Sequence, residues 1–361
     1  MNENENSTAA EILEQTVVYP EVSLSYIADR LSAAHSALII CHINPDGDTI
    51  GSAFALSRML NAMGKRTRVA CDAELPKRLR FLADTEEGVE PVITSPDPEN
   101  VRAEYDLIFS VDVSAPIQLG GMAALIPEID FMIDHHGTGE PFAPNYVDPE
   151  ASAAGEIVYK IYAILKARGL PQLPEAARRI YAAIVSDTGS FKFSNTTPST
   201  HMIAAELVHE INGADDGGMD TADVCRSLFG QRTLKELTAQ MLAIQNLRFY
   251  EDGRLGAVLF TQDMLAAAGL TEEEIGNVVD TPRGVEGVLI GISLRQLSAD
   301  HSQYKVSSRA NAEIDCAAVC AAFGGGGHTR AAGCTVTADS PEAALEMVTD
   351  AFRAAIRESG R

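Results

Sequence analysis

In Ala37-Leu-Ile-Ile-Cys41-His42-Ile-Asn-Pro-Asp46-Gly-Asp48-Thr-Ile-Gly51-Ser52, five apolar residues run into a turn built from His, Asn, Pro, Gly and two Asp, and a helical pattern from Thr49 to Met63 follows. A short apolar run closed by Pro and Gly is the signature of a strand covered on both faces. The same unit recurs. Apolar runs at Thr67–Cys71, Asp106–Val113 and Ile129–Ile133 share the first half of the chain with helical patterns at Ser152–Ala167 and Pro174–Ser186, after an amphipathic helix from Ser23 to Ala34. Strands alternating with helices predict an α/β fold with a doubly wound parallel sheet.

Working outward, Gly213–Asp220 (GADDGGMD) breaks the helical pattern that ends near Ile211 and is the linker candidate. Beyond it come a helix over Thr221–Leu247, strand-like runs at Leu255–Phe260, Gly287–Leu294 and Tyr304–Ser308, and helices around Cys316–Phe323 and Pro341–Glu358. These form a second, smaller α/β domain, with a cleft expected between the two. The expected division is a disordered tail over residues 1–22, a first domain over 23–212, a linker and connecting helix over 213–247, and a second domain over 248–361. A chain of 361 residues has room for both cores.

Composition narrows the function. Apolar residues at 46% and charged residues at 22% are globular values, and the apolar runs fall far short of the ~18 residues of a membrane span. No signal peptide and no membrane partner are expected. A formal charge of −23 repels long polyanions, which argues against a coat on duplex DNA but allows a short anionic substrate wherever cations are concentrated locally. Bound metal ions are the simplest such cations. Six scattered cysteines without a Cys-x-x-Cys pair read as reduced thiols, hence a cytoplasmic address.

Four clusters carry chemistry. His42, Asp46 and Asp48 follow the first strand; Asp112 ends Phe109-Ser-Val-Asp112; Asp134-His135-His136 ends another strand; Asp187 closes an apolar helix against its dipole. Each has a plain alternative: Asp48 serves as an N-cap with an Asx turn, Asp112 and Asp187 as solvated element ends, the histidines as surface residues. Four such coincidences in one domain are less economical than a single binuclear metal site, the arrangement that clamps a phosphoryl group and activates water. In the second domain Gly324-Gly-Gly-Gly327-His328-Thr-Arg330 reads as an anion cradle, with Arg309 and Asn311 beside it. It is neither a G-x-G-x-x-G fingerprint nor a P-loop. Asn195-Thr-Thr197 fits a glycosylation sequon by chance, and His201 and His301 read as surface residues.

The set His42-x-x-Pro-Asp46-x-Asp48 with Gly51-Ser52, Asp112, Asp134-His135-His136 and Asp187 resembles the four motifs of the DHH phosphoesterases, and Gly324–His328 with Ala331-Ala-Gly333 is similar to the signature of the DHH-associated C-terminal domain. The resemblance runs from about Ser23 to the end of the chain. It implies two divalent ions, with manganese preferred: His42, Asp46 and Asp112 on one, Asp48, Asp112, His135 and Asp187 on the other, and Asp112 bridging. Catalytic roles then fall to Asp112, to His136 on the substrate phosphate and to Asp134 as its orienter, while Gly324, Gly325, Gly326, Gly327, His328, Arg309 and Arg330 hold substrate. The chain looks like the nano-RNase branch of the family, which implies short oligoribonucleotides and 3'-phosphoadenosine 5'-phosphate (pAp) as substrates. A diadenylate phosphodiesterase, a manganese pyrophosphatase and a nucleotide-binding regulator without turnover are the other readings, and a homodimer is left open. The chain departs from the family at Ser308 and Ala310, around Arg309, and at Gly137-Thr138 after the triplet, positions that bear on substrate preference.

Overall fold

Burial of every residue of the strand Ser36–Ile40 (β1) places it at the centre of a sheet. A computed structural model describes residues 18–83, 92–94, 96–276, 278–312 and 314–359, with the backbone alone at residue 328. β1 pairs in parallel with Arg66–Ala70 (β2) on one side and with Leu107–Val111 (β4) on the other. Val92–Ile93 (β3), Phe131–Asp134 (β5) and Asn145–Val147 (β6) complete a six-stranded parallel sheet in the order β3-β2-β1-β4-β5-β6. The chain builds outward from β1 to β3 and then returns to lay β4 against β1. That reversal opens a crevice at the carboxyl ends of β1 and β4, where parallel α/β sheets place their ligands. Phe109 of β4 lies opposite Phe131 of β5 and stacks on it at 4.9 Å, fastening the second half of the sheet.

Among the described residues the longer helices of the first unit are Leu24–Ala33 (α1), Gly47–Ala62 (α2), Ala154–Ala167 (α3), Pro174–Asp187 (α4) and Pro198–Asn212 (α5). α2 is buried along most of its length, and glycine is what lets it sit so deep. A Cβ on Gly51 would stand 2.6 Å from the Arg179 carbonyl oxygen of α4 and 3.1 Å from Ala183 Cβ; one on Gly155 of α3 would stand 2.7 Å from the same Ala183 Cβ. α2, α3 and α4 therefore meet nearly backbone to backbone. α2 also starts at Gly47, two residues before the helical pattern in the sequence, because Asp46 and not Asp48 is its N-cap, accepting from the Asp48 and Thr49 amides.

The chain divides into two compact units between Gln231 and Arg232. Gly213–Asp220, the segment expected to be the linker, belongs to the first unit: Arg178 of α4 pairs with Asp216 and donates to the Met219 carbonyl. The long helix expected over Thr221–Leu247 is three pieces, a helix Thr221–Cys225, a π-turn Arg226–Gly230, and Leu234–Gln245 (α6). Thr233 and Glu236 form a capping box that starts α6 afresh. Most of the tail expected over residues 1–22 lies outside the described residues; of the remainder, Val22 donates to Asn145 and Asn145 to Pro20.

The second unit is a six-stranded mixed sheet in the order β11-β12-β10-β9-β8-β7, formed by Arg248–Tyr250 (β7), Leu255–Phe260 (β8), Ile290–Gln296 (β9), Gln303–Ala310 (β10), Gly326–His328 (β11) and Ala331–Thr337 (β12). Among the described residues of this sheet only β8 and β9 run parallel. β10 alternates strictly, with Tyr304, Val306, Ser308 and Ala310 facing the core. Cys316–Ala321 (α7) and Pro341–Glu358 (α8) close that core, α8 through Ala344, Leu345, Val348, Phe352 and Ile356 at helical spacing. All six cysteines are free, and among the described residues no helix is long and apolar enough to cross a membrane.

The glycine contact gives a sign test. Alanine is a better helix former than glycine by about 1 kcal/mol, yet Gly51→Ala is expected to destabilise the protein by about 1–3 kcal/mol because its Cβ overpacks the α2–α4 contact. A thermal melt unchanged or raised in Gly51→Ala would show that the two helices are free to separate.

Candidate metal centre

Each metal-ligand candidate of the first unit lies at one end of an element, at the same edge of the parallel sheet. His42 follows β1; Asp46 and Asp48 sit at the start of α2; Asp112 follows β4; Asp134 ends β5, with His135 and His136 next; Asp187 is the last residue of α4. A parallel sheet presents all its carboxyl ends on one side, so residues up to 145 positions apart in the chain become neighbours.

Two triplets form, His42 with Asp46 and Asp112, and Asp48 with His135 and Asp187, each offering ligand atoms within 4.8 Å of one another; Asp112, His135 and His136 make a third. His42 Nε2 lies 3.8 Å from Asp46 Oδ2 and 3.4 Å from Asp112 Oδ2. His135 Nε2 lies 3.7 Å from Asp48 Oδ2, 3.5 Å from Asp112 Oδ1 and 3.6 Å from Asp187 Oδ2. These separations exceed hydrogen-bond length. They match the spacing of two donors that each stand about 2.1 Å from a common ion, which is roughly 3–3.5 Å. Asp112 lies between the two triplets and reaches toward both.

Electrostatics says what the cluster would hold. Asp48 and Asp112 are buried, and burial, reinforced by the neighbouring carboxylates, pushes both carboxyls well above the ordinary carboxylate range. Burial likewise raises Asp187 and lowers His42, so the pocket disfavours charge of either sign on its own side chains. Asp112 Oδ1 is buried with no hydrogen-bond partner, and its backbone is left-handed at φ 62°. A strained, buried, unsatisfied carboxylate costs several kcal/mol unless a cation meets it. Mixed imidazole and carboxylate donors suit a divalent transition ion, so the residues fit the metal pair.

Supporting residues that composition and spacing do not reveal hold this geometry. Asp48 spans to another helix and caps α3, accepting from the Ala154 amide at 2.7 Å and the Gly155 amide at 2.9 Å, while Ser52 donates to it at 3.1 Å. The positive end of α3 thus faces one carboxylate of the cluster. His136 Nδ1 meets Asp134 Oδ1 at 2.8 Å, and that bond, against burial, raises the imidazole. His135 Nδ1 faces the Ala151 carbonyl at 3.2 Å, which orients Nε2 toward the carboxylates. Asn195, dismissed above as a chance sequon, donates to the carbonyls of Ser152 and Asp187 and ties the loop after α4 to the start of α3. Gln118 joins the loops after β1 and β4: its side chain accepts from the Ser114 and Ala115 amides and its carbonyl from the Ile43 amide.

The glycine run of the second unit is laid out differently from a cradle of four free amides. The Gly324 and Gly325 amides are spent on the end of α7, donating to Ala321 and Cys320. Gly326, Gly327 and His328 form β11, paired with β12. The glycines are needed for proximity: a Cβ on Gly325 would collide with the Gly333 carbonyl and one on Gly327 with the Ala331 carbonyl, and Gly324 and Gly327 have positive φ. An open pocket of about 450 Å³ lies against Gly324–Gly326, lined also by Lys305, Ser307 and Phe323. Arg309 is a residue of β10, in register with Ala331, and Arg330 is in the turn beside it, so the two arginines share one end of the hairpin. Asn311 is turned to structure, donating to the Arg283 and Val288 carbonyls.

Comparisons with known proteins agree with this layout. Residues 36–184 match the profile described as the DHH family, N-terminal domain, and residues 257–354 that described as the DHHA1 domain. The chain is 31% identical over 339 residues to the bifunctional oligoribonuclease and PAP phosphatase NrnA of Thermus thermophilus, covering 92% of this chain and 94% of that one. It is 25% identical over 296 residues to the protein of the same name from Bacillus subtilis, covering 82% and 87%. A crystal structure of an exopolyphosphatase-related protein from Bacteroides fragilis shares the fold, with a TM-score of 0.77 at 22% identity over 93% of this chain and 95% of that one.

The buried carboxylates make the metal-free protein pH-sensitive in a definite direction. Folded carboxyls whose affinity for protons is raised stabilise the fold below the unfolded-state range near pH 4, and that stability is lost as pH rises through their folded values. Asp112→Asn, which keeps a residue tolerant of positive φ, is expected to raise the neutral-pH stability of the chelated protein by about 1–3 kcal/mol. A lower melting temperature than the parent in chelator would contradict this account of the pocket.

Proposed function

The chain belongs to the DHH family of phosphoesterases, and we propose that it is a two-metal hydrolase that converts short oligoribonucleotides to mononucleotides and pAp to AMP. The observation that carries this reading is the gathering of six other ligand-type side chains around Asp112, whose Oδ1 is buried without a hydrogen-bond partner. The names of the relatives, which match nearly the whole chain, support the substrate class.

In this proposal His42, Asp46 and Asp112 hold one ion and Asp48, Asp112, His135 and Asp187 the other, with manganese suited to the mixed donor set. When bound, the ions neutralise the phosphoryl oxygens and acidify water. The chain's own residues supply the rest. Asp134 holds the His136 imidazole by its Nδ1 proton, leaving Nε2 to meet an anionic oxygen of the substrate. The α3 N-terminus, by capping Asp48, keeps that carboxylate turned toward the cluster. In the second unit Gly324–Gly327, His328, Arg309 and Arg330 take the nucleotide, which divides the labour between a unit for chemistry and a unit for recognition. With a net charge of −23, affinity for RNA rests on these few local cations, so long strands gain nothing from their extra phosphates.

The test is a turnover panel with manganese, containing pAp, di- to pentaribonucleotides, a twenty-mer, diadenylate and pyrophosphate. Short ribonucleotides and pAp are expected to turn over fastest, with kcat/KM falling at least about tenfold beyond roughly five nucleotides. Asp112→Ala is expected to lose about 1,000-fold or more. Preferred hydrolysis of pyrophosphate or of the twenty-mer would overturn the substrate assignment, and Asp112→Ala retaining activity within a few-fold would overturn the two-metal reading. Asp134→Asn is expected to lower kcat about 10–100-fold while bound manganese, counted by elemental analysis, stays at the parent level; loss of metal in that variant would make Asp134 a ligand instead.

A further inference from the structure

The loop after the ligand candidate Asp187 is a tightly bonded turn that carries an exposed aromatic ring. Gly189, Ser190 and Phe191 are successively left-handed, and the Lys192 and Phe193 amides both donate back to the Thr188 carbonyl, at 2.9 and 3.0 Å. Asn195 then donates to the Asp187 carbonyl at 3.1 Å and to the Ser152 carbonyl at 2.9 Å, next to Ala151, whose own carbonyl faces His135. The frame that sets Asp187 and His135 therefore also sets this loop. Its two phenylalanines differ. Phe191 is half-buried, with its ring 6.3 Å from that of Tyr181 and stacked at 5.2 Å on His201. Phe193 lies over Gly189, where a Cβ would stand 2.4, 2.6 and 2.6 Å from three adjacent ring carbons, near-equal distances that put Gly189 under one face of the ring. That face is closed, and the 54% exposure of Phe193 falls on the rest of the ring. Lys192 beside it is exposed as well.

We propose that Phe193 is a stacking platform for one nucleobase of an oligoribonucleotide, the base of the nucleoside that the second unit does not take. The inference rests on the function proposed above and adds to it a seat for the second nucleoside. A single exposed phenylalanine is ordinary on a protein surface. Position sets this one apart, because its amide is bonded to the residue that follows an ion ligand. A phosphodiester held at the ions carries a nucleoside on each side of the reacting phosphorus, whereas pAp carries one nucleoside in all, so only the oligonucleotide needs a second seat. An aromatic ring beside a cation is the combination that holds single-stranded nucleic acid, since every base has a π face and the phosphate next to it is anionic. Phe193 and Lys192 supply both. The hydrogen-bonded turn presents the ring preformed, which lowers the ordering cost of binding. Stacking also acts on the uncharged part of the substrate, where the −23 charge of the chain does not oppose it.

Steady-state kinetics of the full chain with manganese, on a 5'-phosphorylated diribonucleotide and on pAp, test this. Phe193→Ala is expected to lower kcat/KM on the diribonucleotide about 5–100-fold, chiefly through KM, while pAp stays within about twofold of the parent and Phe193→Tyr keeps both activities. Turnover of pAp thus doubles as the check that fold and metals are intact, and if Phe193→Ala unfolds by circular dichroism, Phe193→Leu is read in the same way. Phe249→Ala, a change to an exposed aromatic residue of β7, is expected to alter neither activity. Diribonucleotides lacking one base or the other give a measurement on the parent itself: each removal is expected to slow the parent, and one of the two is expected to cost Phe193→Ala nothing further. Undiminished diribonucleotide turnover in Phe193→Ala, equal losses on the two substrates in a folded variant, or base removals that cost the variant as much as the parent would overturn the platform alone. A parent inactive on both substrates would overturn the function proposed above, and the platform with it.

Discussion

Concentrated negative charge inside the first unit is the constraint around which that unit is organised. Asp48 and Asp112 are almost completely withdrawn from water, with Asp46 and Asp187 close by, and burial raises the carboxyls of Asp48, Asp112 and Asp187. Protein dipoles offset part of the cost: two amides at the start of α3 serve Asp48, and the amides at the start of α2 serve Asp46. Asp112 receives no such help on Oδ1. A fold selected only for stability would place an apolar residue there. The retained strain is the physical mark of a site that expects a cation.

That constraint accounts for features elsewhere in the unit. The close approach of α2 to α3 and α4, made possible by Gly51 and Gly155, brings the first turn of α2 within reach of the α3 amides. The left-handed backbone of Asp112 lets β4 end in register while its amide still donates to Ile133 of the neighbouring strand. After Asp187 three successive residues, Gly189, Ser190 and Phe191, are also left-handed, and the turn is held by the Thr188 hydroxyl and by Asn195. Rigid apolar strands on one side and hydrogen-bonded turns on the other keep the donors at separations too long for each other and suitable for an ion. The second unit solves a different problem. Its glycines let a hairpin lie close against the end of a helix and leave an open pocket lined by Lys305 and Ser307.

The metal-ligand candidates were legible because they are locally anomalous: imidazoles and carboxylates directly after apolar strands, where packing does not call for them. The parallel sheet was legible from apolar runs alternating with helical patterns. Less of the second unit could be read. β11 is Gly326-Gly-His and β12 opens on Ala-Ala-Gly, so little hydrophobic or β-branched composition marks where they begin, and β7 has only three residues, as short as β3 and β6 of the first unit. The break between Cys225 and Leu234 does have a local trace, Gly230 followed by the Thr233 and Glu236 capping box that restarts the chain, which the apolar periodicity of Thr221–Leu247 overrides when read alone. The Gly/Asp-rich stretch looked like a linker because an ion pair to Arg178, 38 residues earlier at Asp216, leaves no local trace.

By itself the sequence determined which residues are candidates for the chemistry and that they lie at the ends of strands and helices, since both follow from composition and period over a few residues. Tertiary structure decided which of them face one another. That His42 and Asp112 lie 3.4 Å apart depends on the return of β4 to the side of β1. That Asp48 caps a helix beginning 106 residues later depends on three helices meeting at glycine. That the Gly324 and Gly325 amides close the end of α7 depends on where the hairpin lands. Such pairings are set by the packing of whole elements, and the free energy that selects them is spread over the core, beyond what any short window of residues records.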